Sequence, residues 1–150
     1  MGVMIGAASL AGCGSNSSNA AATDAATQPL TKKEFIQRAE TACVSGLKKK
    51  DQVALPELQK LALESRGIPD PKKVAKIVED SVLPIYRNIV AGLGQLNPPK
   101  GDEAQVEKIV REFEQALEKT EAAPAKAAEV NAFAAANEAA RAYGMEACRL

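Results

Sequence analysis

The cysteines carry the most distinctive chemistry in this sequence. There are three, Cys13, Cys43 and Cys148, and an odd number in an exported protein indicates that one of them has a role other than pairing. Histidine is absent from the sequence, so no Ser-His-Asp or Cys-His nucleophile system can be assembled within the chain. Imidazole-dependent zinc sites are excluded for the same reason. We therefore predict no catalytic residue, no metal and no cofactor, and we expect the protein not to be an enzyme.

The other polar side chains give weaker indications. Glu114 and Glu118 are a possible carboxylate pair for acid–base chemistry, but they fall on the water-facing side of a predicted helix. Asn137 and Arg141 are one helical turn apart in an alanine-rich segment, where they can together hold an anion. Ordinary helix-surface polarity explains both patterns more simply. We keep Asn137 and Arg141 as the ligand-binding candidates of the sequence.

Length and charge limit the class of protein. The chain has 150 residues and equal numbers of basic and acidic side chains, 19 each. Such a length suits one modest domain. A neutral balance argues against nucleic acid as a partner, because phosphate binding requires a basic excess.

The amino terminus has the pattern of an export signal. A short apolar stretch over residues 3–10 leads into Leu10-Ala11-Gly12-Cys13, which resembles the lipobox of bacterial lipoprotein signal peptides. The resemblance implies cleavage before Cys13 and diacylglycerol on its sulfur, with fatty acyl chains such as palmitate. No basic residue precedes the apolar run, so we expect the true start codon to lie a few residues earlier. Residues 1–12 are thus the predicted signal peptide, and residues 13–29 the lipidated cysteine with a flexible linker.

Residues 30–150 form the predicted folded domain. Thr31 and Glu34 are spaced as a capping box, which predicts a first helix from near Lys32. We expect that helix to weaken at Ser45-Gly46 or Lys50-Asp51, and to resume past Pro56 until it ends at residues 66–69.

Three more amphipathic helices are predicted. Asp70-Pro71 has the residue types of a helix start, and Pro84 is expected to kink that second helix. Asp102 is the predicted cap of the third helix. The fourth is alanine-rich, follows Pro124, includes Val130 and Phe133, and ends at Gly144. No segment alternates with a period of two, so the fold class is all-α: an antiparallel bundle of about four helices with a disordered N-terminal tether.

The two cysteines of the domain are expected to pair. Cys43 lies on the apolar face of the first helix and Cys148 just beyond the last. In an up-down-up-down bundle these elements are neighbours, and an exported protein meets conditions in which disulfides persist. Two unpaired buried thiols are the alternative. A pair between Cys43 and Cys148 would leave Cys13 for the lipid.

Three motifs together carry a family resemblance. They are the segment 31–36 leading to Cys43, the Leu96-Asn97-Pro98-Pro99 turn, and the ending Tyr143-Gly144-Met145-Glu146-Ala147-Cys148. The sequence resembles small uncharacterised lipoproteins of high-GC Gram-positive, actinobacterial-type bacteria. The resemblance implies export, a lipid anchor and a helical body with one terminal disulfide, and it carries over no activity.

The functional prediction follows from these features. We expect an extracytoplasmic protein, anchored to the cell membrane by lipid on Cys13, that acts as a non-enzymatic binding or interaction module of the cell envelope. Its partners would be the membrane and an envelope protein. The alternative is a carrier or sensor that binds a small apolar or amphipathic ligand inside the bundle. A hydrolase would need a mechanism that uses carboxylates alone.

Overall fold

The structure is a computed structural model that describes residues 28–66, 68–127 and 131–150. Within these ranges the chain is helical and has no strand, which confirms the predicted all-α bundle. The predicted signal peptide, most of the linker and Cys13 lie outside the described residues.

The first helix, α1, spans Lys32–Glu64 and is 33 residues long. The capping box is confirmed: the Glu34 amide donates to Thr31 Oγ1 at 3.3 Å, and the Thr31 amide donates to Glu34 Oε2 at 3.0 Å. The predicted weakening was wrong, because α1 runs without a break through Gly46 and Pro56. Pro56 is exposed, so water can solvate the carbonyl that loses its amide partner there.

The second helix, α2, comprises Pro71–Ile77, the π-helical turn Val78–Val82 and Leu83–Gly94. Asp70 caps it as predicted, since its Oδ1 accepts from the Lys72 amide at 2.9 Å. The distortion expected at Pro84 takes the form of the π turn, in which the Leu83 amide donates to the Val78 carbonyl. A π turn admits one extra residue, which moves the proline ring away from the carbonyl it would otherwise strike.

The third helix, α3, spans Glu103–Ala122, and the fourth, α4, spans Ala134–Tyr143 after a 3₁₀ turn at Pro124–Lys126. The α4 helix is shorter than predicted. Phe133 is its N-cap residue rather than an interior one, and Val130 lies outside the described residues. The Phe133 ring packs against Tyr86 and Phe113, with centroid distances of 5.2 and 6.5 Å. These tertiary contacts outweigh the helix propensity of the neighbouring alanines.

The core lies where α1, α2 and α3 meet the short α4. Its largest fully buried side chains are Phe35, Phe113, Leu83, Leu93, Ile109 and Met145, together with the two domain cysteines. The predicted disulfide is present, with Cys43 and Cys148 joined at a Cα–Cα distance of 5.1 Å and both fully buried. Gly144 ends α4 as predicted, in the left-handed region at φ 110°.

In the ranges that the structure describes, each helix falls short of the length and apolar character needed to cross a bilayer.

Candidate functional site

A concave site lies in the half of the bundle away from Thr31. It is bounded by the second half of α1, the π turn of α2, Ala127 and the residues 131–133 before α4, and its volume is about 540 Å³. We call it the distal cavity. Its lining residues are Lys50, Asp51, Ala54, Leu55, Leu58, Val78, Val82, Tyr86, Thr120, Ala127, Asn131, Ala132, Phe133 and Leu150.

The α1 wall of the distal cavity follows from helical spacing. Lys50, Ala54 and Leu58 recur every four residues, so they lie one above the other on one face. Ala54 is 2 % exposed and lies between two longer side chains. Its single methyl group leaves room between α1 and α2, which a larger residue would fill.

The α2 wall is made at the π turn. Val78 and Val82 bound that turn, and Tyr86 lies one helical turn further along α2. The edge of the Tyr86 ring meets Phe133 at an interplanar angle of 76°, the arrangement that aromatic pairs favour. The π turn and the early start of α4 at Phe133 therefore both shape the same cavity.

The polar side chains that line the cavity are those of Lys50, Asp51, Tyr86, Thr120 and Asn131. The Lys50 Nζ is 3.2 Å from Asp51 Oδ1, and the two side chains are 27 % and 56 % exposed. Burial raises the pKa of the Tyr86 hydroxyl, while the adjacent Lys50, as a charge and as a hydrogen-bond donor, lowers it in part. The Thr120 hydroxyl donates to the Ala116 carbonyl at 2.8 Å.

The two ligand-binding candidates from the sequence lie elsewhere. The Asn137 Nδ2 donates to the Leu150 carbonyl, and the Leu150 amide donates to Asn137 Oδ1, both at 3.1 Å. Asn137 thus holds the segment after α4 against the helix, while Arg141 is exposed. An anion site formed by Asn137 and Arg141 stays a prediction. Neither residue lines the distal cavity.

A second polar cluster joins three helices at the opposite end of the bundle. Asp102 is at the predicted N-cap position of α3. Its side chain, however, makes no capping hydrogen bond to that helix. Its Oδ2 instead accepts from the Tyr143 hydroxyl at 2.8 Å and lies 3.6 Å from Lys32 Nζ. Lys32 also lies over the Tyr143 ring, 4.2 Å from its centre. This cluster ties α1, α3 and α4 together.

The pKa of Tyr143 is raised by the same surroundings. Burial of the hydroxyl is the largest cause, followed by its hydrogen bond to Asp102 and the negative charge of that carboxylate. Each disfavours the phenolate. The hydroxyl therefore stays protonated and structural at neutral pH.

Acidic side chains do not assemble into a site in the part of the chain that the structure describes. There, no group of three or more Cys, Asp or Glu side chains could hold a metal ion. Glu114 and Glu118 are exposed. The Ser81 hydroxyl, which is buried, donates to Glu57 Oε2 at 3.0 Å and links α2 to α1.

The sequence indicated a ligand space inside the bundle only as the alternative function, and it did not identify the residues that line the distal cavity. The signals that could have indicated it are the small Ala54 between Lys50 and Leu58, and the position of Pro84 just after two valines four residues apart. No family profile, no curated protein and no solved structure matches this chain.

Proposed function

We propose that this protein is a lipid-anchored, extracytoplasmic binding protein of the cell envelope, and that its body holds one small apolar or amphipathic molecule in the distal cavity. The observation that carries the proposal is the cavity itself, with mainly apolar walls and a few polar groups at one side. A volume of about 540 Å³ falls within the usual range of small-molecule sites, roughly 300–1,000 Å³.

The chemistry of the cavity favours binding over catalysis. The titratable side chains in its wall are Lys50, Asp51 and Tyr86. Lys50 is paired with Asp51, and neither is arranged as a base for a Ser or Cys nucleophile in the cavity wall. Such a lining fixes the orientation of a ligand without activating it.

The lipid anchor rests on the sequence, and the disulfide supports it. Disulfides persist in oxidising compartments outside the cytoplasm, and the pair formed by Cys43 and Cys148 leaves Cys13 as the remaining cysteine. The anchor is tested by the intact mass of the mature protein and by Cys13→Ala. We expect a lipid-bearing chain that begins at Cys13, and release of the variant from membranes. A lipid-free chain that still begins at Met1 would contradict the anchor.

Ligand binding is tested by thermal unfolding of the domain, residues 28–150 with the disulfide intact, titrated with dodecanol below its solubility limit. A ligand that binds the folded state raises the midpoint in proportion to the logarithm of its concentration. We expect a rise for the wild type and none for Val82→Phe, which places a ring in the cavity. Gln115→Phe is the matched control, since it adds the same ring at an exposed site on α3. Equal responses from both variants would count against the distal cavity.

A second candidate function, a protein-interaction module, is favoured by the turn between α1 and α2. Leu63 near the end of α1 and Ile68 before α2 are 83 % and 86 % exposed, and large exposed aliphatic side chains can contribute to a protein contact. A photocrosslinking amino acid at position 68 should capture one defined envelope protein in living cells. The same group at position 115 should not. Identical patterns from both positions would remove this candidate.

A further inference from the structure

We infer that the ligand of the distal cavity is a single-chain amphiphile with a carboxylate head group, which Lys50 and Tyr86 bind while the chain lies along the apolar walls. The inference rests on the proposed function and deepens it by naming the class of ligand. It is carried by the positions of the donors and of the apolar residues in one cavity.

Lys50 and Tyr86 place two hydrogen-bond donors at the same side of the cavity. The Lys50 side chain is 27 % exposed, so most of it is covered while its ammonium still meets solvent. Tyr86 is 9 % exposed and lines the same cavity as Lys50. An ammonium has three donors and no acceptor, and a phenol that keeps its proton supplies one more. Two donors in one cavity wall, one of them charged, match an anionic oxygen acceptor.

The protonation state of Tyr86 supports this arrangement. Burial raises the pKa of its hydroxyl above the ordinary value, and Lys50 offsets part of the rise. The phenol is therefore neutral at physiological pH and available to donate. A phenolate in this place would repel a carboxylate.

Asp51 does not block an incoming carboxylate. It pairs with Lys50 at 3.2 Å, but its side chain is 56 % exposed. An exposed ion pair contributes little, because water solvates both partners well. Asp51 can therefore turn into water when a ligand head group takes its place. A ligand that replaces Asp51 beside the Lys50 ammonium also buries its apolar chain in the cavity, and this hydrophobic gain favours the ligand over Asp51.

The apolar part of the cavity begins next to these donors. From Lys50 to Leu58 the wall of α1 rises about 12 Å at 1.5 Å per residue. Val78, Val82 and Phe133 face it across the cavity. This is a site with a polar side at Lys50 and an apolar run beyond it, which suits a linear amphiphile better than a compact polar molecule.

The experiment compares three probes of equal chain length by calorimetry on the disulfide-bonded domain, each below its micelle concentration: dodecanoate, dodecanol and dodecyltrimethylammonium. We expect dodecanoate to bind about ten times more tightly than dodecanol, as one charged hydrogen bond implies, and the cationic probe to bind most weakly. Lys50→Gln should abolish the preference, so that dodecanoate binds no more tightly than dodecanol in that variant. Lys50→Arg should keep it, and Tyr86→Phe should reduce it.

Lys48→Gln is the matched control, since it removes one charge from an exposed position on the same helix and lies outside the cavity lining. It should leave all three affinities unchanged. Equal binding of dodecanoate and dodecanol, or equal losses in Lys48→Gln and Lys50→Gln, would overturn the carboxylate inference and leave the cavity as a site for neutral ligands. Failure of all three probes to bind would overturn the proposed function itself. Circular dichroism of each variant shows that any loss occurs in folded protein.

Discussion

The two halves of the bundle share the same helices but are filled differently. We call the part around Cys43, Phe35, Phe113 and Leu93 the disulfide half, and the part around the distal cavity the cavity half. Among the described residues, none of the largest fully buried side chains lines the distal cavity. In the second half of α1 the buried residues are Ala54 and Leu61. The disulfide half therefore provides most of the packed core, while the cavity half leaves an open space between the helices.

The difference arises from backbone geometry as well as side-chain size. At Gly46, α1 approaches α2 so closely that an added Cβ would lie 2.3 Å from Ile89 Cγ1. Beyond that point α2 widens at the π turn Val78–Val82. The close approach at Gly46 is thus followed along α2 by a π turn, a distortion that is frequent at functional sites.

Removal of the disulfide should give the largest effect. Cys43→Ala with Cys148→Ala opens a loop between residues 105 positions apart and should lower the free energy of unfolding by about 2–5 kcal/mol. Urea denaturation of the domain, with and without the double substitution, measures it. A loss below about 1 kcal/mol would mean that the disulfide half does not depend on its covalent link.

Paired leucine truncations should separate the two halves. Leu93 is 1 % exposed in the disulfide half, so Leu93→Ala should cost about 2–5 kcal/mol through lost burial and a new cavity. Leu58 already borders the open space of the cavity. Its side chain therefore contacts fewer neighbouring atoms than a core leucine, and Leu58→Ala should cost less than about 1 kcal/mol. Both values come from the same urea titrations. Equal costs would show that the cavity half is packed as tightly as the disulfide half.

Gly46→Ala tests the close approach of α1 and α2. Alanine is the better helix former, so on an isolated helix the change would stabilise by up to about 1 kcal/mol. In this fold the new methyl group meets the Ile89 side chain, and overpacking should lead to a net loss of about 1–3 kcal/mol. Gly92→Ala is the control, because an added Cβ there meets nothing within 4 Å. A stabilised Gly46→Ala would contradict the tight contact.

Tyr143→Phe should have a modest effect on stability at neutral pH, a loss of about 1–2 kcal/mol from the hydrogen bond to Asp102. Its signature is the pH dependence. The folded pKa of Tyr143 is raised, so its contribution is complete below the unfolded value near 10 and declines as pH rises above it, because the unfolded chain then loses the proton first.

Urea titrations between pH 8 and pH 11 measure this dependence, where both ends of the range are chosen to bracket the ordinary tyrosine pKa of about 10. The wild type should lose stability on the alkaline side by up to about 1.4 kcal/mol more per pH unit than Tyr143→Phe. Parallel curves for the two proteins would show that the raised pKa is not linked to folding.

The helix ends and the disulfide were predictable because their causes are local or chemical. Thr31, Asp70 and Gly144 each have a side chain or a backbone freedom that acts within a few residues. Pairing of the two domain cysteines was predicted from bundle topology together with the expected export. These are features that a sequence carries without knowledge of packing.

The sequence-based predictions failed at residues whose role is set by contacts with residues far away in the sequence. Gly46 resembles a weak point in an isolated helix, but its lack of a side chain is what allows α2 to approach. Asp102 has the residue type of a cap, yet Tyr143 and Lys32 take its carboxylate. Phe133 fits the apolar stripe of a helix and instead stands at its start, where it closes the distal cavity. A cavity is defined by atoms that are missing between elements, and no local pattern encodes it directly.

Native mass spectrometry of the protein extracted from its own membranes tests the role of the cavity half most directly. We predict one small amphiphile retained per chain in the wild type and in Gln115→Phe, and its loss in Val82→Phe, with the disulfide intact in all three. A wild-type protein that emerges without any such molecule, or a Val82→Phe variant that retains it equally, would contradict the assignment of the distal cavity as a ligand site.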